Sequence, residues 1–176
     1  MTRNGRLSIL IYHRVLPEPD PLQPEIVDAE VFARHMRWLR RVFRVLSLGD
    51  AVARLGRGTL PARAVCITFD DGYADNAEVA LPVLRELGLP ATFFIASGFL
   101  DGGRMWNDTV IEAVRRWPGR TLSVPGLDLD LIAVGSLEER QRTLKQTLRA
   151  IKYLEPARRE AVCEALGASV GGSLPR

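Results

Sequence analysis

Histidine and cysteine each occur only twice in this 176-residue sequence, and neither long apolar runs nor a one-sided charge excess are present. Each scarcity excludes something. Cys66 lies inside an apolar run and Cys163 in a helical stretch, so neither has the spacing of a metal site or a disulfide framework. A reduced, cytoplasmic chain is therefore the default expectation. The run Leu7 to Tyr12 is too short for a signal-peptide core, and no small-residue cleavage site follows it. Nothing approaches the roughly 20 apolar residues of a membrane span, so no membrane span is expected. The formal charge is only +3 and comes almost wholly from arginine. Its densest cluster, Arg34, Arg37, Arg41 and Arg44, has spacings of three and four. That puts it on one face of a helix, opposite Phe32, Met36, Leu39 and Phe43. A solvated helix face accounts for it, and no nucleic-acid motif accompanies it, so no nucleic-acid partner is expected.

What is present is a chain with 47% hydrophobic and 26% charged residues, enough for one sizeable core. Leu7 to Tyr12 reads as a short buried strand closed by a proline-rich loop, which leaves His13 at the strand's C-terminal end. Asp28 is placed to cap a helix running to about Arg44, and a second helix covers Leu48 to Leu55. Ala64 to Phe69 is a second buried strand that ends in Asp70-Asp71-Gly72. A helix near Ala80 to Leu87 is stopped by Gly88 and Pro90, and a third strand is expected from Ala91 to Ala96. Helix-length connections between apolar strands predict a parallel sheet with helices outside it.

After Gly98 the rhythm changes. Trp106 to Trp117 reads as helical, and Thr121 to Val134 suits a hairpin turning at Pro125-Gly126. Ser136 with Glu139 forms a capping box ahead of a helix through Lys152, and Pro156 opens another that ends at Gly167. Residues 99–168 are expected to be an insertion in a single, incomplete domain over 1–176. Ser169 to Arg176 reads as a linker-like tail.

The chemistry concentrates at Thr68-Phe69-Asp70-Asp71-Gly72-Tyr73. Two adjacent carboxylates at the C-terminal end of a strand stand where α/β sheets and barrels put their active sites. They repel one another. A cation held by one relieves that repulsion and leaves the other free to act as a base toward water. The glycine permits a sharp turn. Residue types alone favour a plain Asp-Gly turn whose carboxylates satisfy local amides.

The wider pattern adds to this. Ile67 to Tyr73, Asn76, Leu81-Pro82-Val83-Leu84, Gly88 to Ile95 and Ser97-Gly98 together resemble the polysaccharide deacetylase family with the NodB homology domain. The resemblance implies an α/β fold, a partial and irregular (β/α) barrel with mainly parallel strands. It also implies a divalent metal, often zinc, and hydrolysis of N- or O-acetyl groups on a polysaccharide substrate. It makes Asp70 the catalytic base and Asp71 a metal ligand, with the main-chain N–H of Tyr73 helping to hold the oxyanion. Leu10-Ile11-Tyr12-His13 resembles the segment that supplies the general acid, carried here ahead of the Asp-Asp motif as in a permuted branch of the family. A histidine suits that role because its ordinary titration range lies near working pH; a histidine hydrogen-bonded in a loop is the other reading. Met105-Trp106-Asn107-Asp108 resembles a tryptophan-bearing segment of the same branch, which offers Trp106 as a core residue or a sugar platform.

The resemblance also has a gap. The family's metal site takes a His-x-x-x-His pair downstream of the carboxylates, yet no histidine follows His35, and His35 lies on the arginine-bearing helix. Asp71, even with His13, falls short of the three protein ligands that a catalytic zinc normally keeps. The expectation is a site incomplete in this chain, with metal weakly held or absent. The alternative is a non-catalytic fragment or pseudoenzyme that binds a glycan or a partner. An open parallel sheet would also expose apolar surface and favour self-association.

Overall fold

The computed structural model describes residues 5–124, 126–127 and 129–171. The chain divides into two compact units, Met1–Asp20 with Pro24–Ser97, and Pro21–Gln23 with Gly98–Arg176.

The first unit is a mixed α/β arrangement around a parallel sheet of four strands, β1 (Leu7–Tyr12), β2 (Arg44–Val45), β3 (Ala64–Phe69) and β4 (Thr92–Phe93). Every residue of β3 is buried, as its unbroken apolar composition requires of a central strand. β1 runs parallel to it in full register, from Leu7 opposite Ala64 to Tyr12 opposite Phe69. The other edge of β3 is shared. β2 pairs with its first residues, Ala64 and Val65, and β4 with its last, Thr68 and Phe69. The short strand β2 takes the place of the expected last turn of the first helix, because Phe43 is already extended.

Two helices precede β3. α1 (Ala29–Val42) starts where the Asp28 carboxylate accepts the Val31 N–H at 2.9 Å, and α2 (Leu48–Gly56) is capped by Ser47. Phe32, Met36 and Leu39, spaced for one helical face, are buried against Val65, Ile67 and Phe69 of β3. After β3 the chain passes through the wide turn Asn76–Ala80 into α3 (Leu81–Leu87), so this helical stretch begins earlier than expected. The expected strand Ala91–Ala96 is cut to Thr92–Phe93. Beyond Phe69 its partner strand turns away through Asp71 and Gly72, both at positive φ, and only single bonds remain, from Phe94 N–H to the Phe69 carbonyl and from Ala96 N–H to that of Asp71.

The second unit comprises α4 (Trp106–Arg116), the antiparallel hairpin β5 (Thr121–Val124) with β6 (Leu129–Ala133), α5 (Leu137–Lys152) and α6 (Pro156–Ala168). Ser136 and Glu139 close the expected capping box, each accepting the other's main-chain N–H. Val110, Val114, Leu122, Leu144, Ile151 and Leu166 are among the residues that make its core. Pro125 of the expected turn and residues 172–176 of the expected tail lie outside the described residues.

Candidate active site

Four of the five residues singled out from the sequence lie in the first unit, where the ends of β1 and β3 position them. Tyr12 and Phe69 are register partners, so the next residues, His13 and Asp70, leave the sheet side by side. The ladder continues one step further: the Asp70 N–H donates to the Tyr12 carbonyl at 2.9 Å. On the other flank, the bond from Ala96 N–H to the Asp71 carbonyl measures 3.2 Å. The Asp-Asp segment is thus tied by its main chain to both neighbours.

An aromatic floor supports it. Phe69 stacks on Tyr12 at 5.5 Å and on Phe93 at 4.7 Å between ring centroids, and Phe32 meets Tyr12 edge-on at 5.2 Å. Each such pair adds about 0.5–1.5 kcal/mol beyond its buried area. Burial also pushes the Tyr12 hydroxyl above its ordinary titration range.

Asp71 and Gly72 take φ values of 73° and 74°. Asp tolerates the left-handed region better than most residues, and Gly meets it without cost. A Cβ at Gly72 would also come within 2.8 Å of Ile95 Cδ1, so the Ile95 side chain would have to shift to admit it. The two carboxylates are half-exposed, and His13 is exposed.

A polar clamp, not foreseen from the sequence, fastens the chain after β1 to the chain after β3. The buried Asp75 carboxylate accepts Arg14 Nε at 2.8 Å and the Val15 N–H at 3.2 Å. Asn76 Nδ2 donates to the His13 carbonyl at 2.9 Å and to Asp75 Oδ1 at 3.2 Å. The Arg14 guanidinium also lies 4.6 Å from the centre of the Tyr73 ring. His13 is therefore held through its main chain, and the residue is exposed. Asn76 Oδ1 is buried with no hydrogen-bond partner among the described residues. The clamp spans some 60 residues of sequence, and its only sequence signal was the adjacency of Arg14 to His13 and of Asp75 to the Asp-Asp-Gly-Tyr run.

Trp106, the fifth residue, belongs to the second unit. It opens α4, packs against that unit's core and lines a cleft of about 660 Å³, where the Arg159 guanidinium stands 5.6 Å from its ring. Its carbonyl accepts the Cys163 thiol at 3.7 Å. His35 is exposed on α1.

Among the described residues no group of three His, Cys, Asp or Glu side chains converges to hold a metal ion. A catalytic zinc normally keeps three protein ligands.

Residues 57–122 match the family model described as polysaccharide deacetylase. A Bacillus subtilis (strain 168) protein, YxkH, named as a polysaccharide deacetylase, is 36% identical over 93 residues, which is 52% of this chain and 32% of that protein. The poly-beta-1,6-N-acetyl-D-glucosamine N-deacetylase of Staphylococcus epidermidis is 29% identical over 119 residues, covering 60% of this chain and 40% of the enzyme. Among solved structures, IcaB from Ammonifex degensii aligns with a TM-score of 0.47 and 32% identity over 61% of this chain and 47% of that one. The chain spans 32% and 40% of the length of these two curated relatives.

Proposed function

We propose, on the match of residues 57–122 to the polysaccharide deacetylase family model, that the first unit supplies the acid–base half of a site that removes acetyl groups from a polysaccharide. The observation that carries the reading is the parallel register that ends β1 and β3 together, with His13 beside Asp70 at the mouth of the sheet. Asp70 takes a proton from water as its oxygen attacks the acetyl carbonyl carbon. The charge that develops on the carbonyl oxygen is met by the Tyr73 main-chain N–H. His13 then gives a proton to the departing sugar nitrogen, or oxygen for an O-acetyl group, as its bond to the acetyl carbon breaks. Acetate and the free amine or hydroxyl result. Trp106, with the sugar-sized cleft it lines in the second unit, is the candidate platform for the glycan chain.

The family's metal would polarise the carbonyl and lower the pKa of bound water. By the resemblance, Asp71 is the residue of the first unit that would help hold it. A second reading is a non-catalytic fragment or pseudoenzyme that binds a glycan or a partner protein.

A graft separates the two readings. Residues 5–97 are placed in the S. epidermidis deacetylase in place of its matching region, and acetate release from a β-1,6-linked N-acetylglucosamine oligomer is measured. Under the catalytic reading the graft releases acetate, and Asp70→Asn or His13→Ala lowers turnover by about a hundredfold, with zinc content unchanged. A folded graft whose turnover ignores both substitutions overturns the assignment.

A further inference from the structure

Helix α1 presents a face that the proposed chemistry leaves unused. From Val31 to Gly49 the sequence holds five arginines and no acidic residue. Arg34, Arg37 and Arg41, at spacings of three and four, share the solvent side of the helix and are all exposed. Glu30 is the acid nearest to them in sequence, 3.8 Å from Arg34 in a pair exposed on both sides. Such a pair is too weak to neutralise the stripe.

Within the same stripe stands Trp38, 56% exposed, its ring 5.4 Å from that of Phe43. Behind it a cavity of about 310 Å³ opens between α1 and β1, lined by Leu10, Tyr12, Leu39 and Phe43 among others. The surface thus pairs a row of guanidinium groups with an exposed indole and an apolar recess.

The combination selects its partner. A nucleic acid or an anionic glycan would satisfy the guanidinium groups but leave the apolar recess unfilled. An apolar peptide would fill the recess and leave the arginines unmatched. An anionic phospholipid surface answers both, with phosphates for the planar guanidinium forks and an apolar layer just beneath them. Tryptophan characteristically settles at that boundary. We propose that the Arg34, Arg37, Trp38 and Arg41 face of α1 docks on an anionic phospholipid surface, with the indole at the level where headgroups meet acyl chains. No helix among the described residues is long and apolar enough to cross a bilayer.

The test is co-sedimentation of the full chain with phosphatidylcholine vesicles, with and without phosphatidylglycerol, across a salt series. Binding is expected only where phosphatidylglycerol is present, and it should fall steeply as salt is raised. The double variant Arg37→Glu with Arg41→Glu should lower partitioning about tenfold or more, and Trp38→Ser should lower it at unchanged charge. All three side chains are exposed, and circular dichroism checks that the variants keep the fold. Three results overturn the proposal: no binding to phosphatidylglycerol vesicles at low salt, binding that the double variant leaves intact, or binding indifferent to Trp38→Ser. Retention on immobilised heparin without vesicle binding would assign the face to soluble polyanions instead.

Discussion

Two successive left-handed residues, Asp71 and Gly72, turn the chain out of β3, and they show how a few side chains fix the candidate site. Gly72 answers both a positive φ and the closeness of Ile95, so Gly72→Ala combines backbone strain with a steric clash. A loss of about 1–3 kcal/mol is expected from urea denaturation, larger than for Gly49→Ala, where nothing lies within 4 Å and φ is ordinary. Asp75 works differently, since its carboxylate satisfies a guanidinium and a buried amide together, and charge-assisted bonds of this kind are the stronger ones. The cysteines are inert for a related reason. Burial raises both the Cys66 and the Cys163 thiol, with the nearby Arg159 opposing the shift at Cys163. A raised thiol stays protonated further into alkaline pH, and the thiolate is the reactive form. Both cysteines should therefore resist Ellman's reagent in the native protein at neutral pH and react in urea. As pH climbs past the ordinary thiol range the unfolded chain loses these protons first, so this contribution to stability declines.

At the scale of elements, β3 organises the first unit because its two edges and one face are all used. β1 lies on one edge, β2 and β4 share the other, and α1 covers the face that carries Val65, Ile67 and Phe69. Phe32 joins helix to sheet: it is fully buried and meets both Tyr12 and Phe69. Phe32→Ala should cost about 3–5 kcal/mol in chemical denaturation. Because the aromatic floor lies directly under the Asp-Asp turn, the same variant should raise amide exchange at residues 69–73 more than in α5, which belongs to the other unit.

At the scale of the molecule, the sheet of the first unit is open among the described residues. β1 pairs with β3 on one edge alone, and on the face opposite α1 its Ile9 and Ile11 are 47% and 61% exposed. An unpaired strand with an apolar face is a template for association. The chain is expected to self-associate with rising concentration in sedimentation velocity, and Ile9→Lys with Ile11→Lys should return it toward the monomer without loss of helical signal. A monomer at all concentrations would mean that these residues are tolerated in water as they stand.

Period and punctuation alone determined a good deal of this. The strands β1 and β3, the three-four spacing of Phe32, Met36 and Leu39, the Asp28 cap and the Ser136–Glu139 box were all legible, because each depends on neighbours within a few residues, although β1, expected to be buried, is half-buried to exposed along its length. So was the place of the Asp-Asp turn at the end of a strand. The extent of β4 was not legible, since it depends on where its partner turns away, and β2 escaped notice because two residues carry no periodicity. The clamp of Arg14, Asp75 and Asn76 likewise joins positions some 60 residues apart. Only tertiary structure could bring them together, because an ion pair between distant residues leaves no spacing in the sequence, whereas a helix face or a cap must.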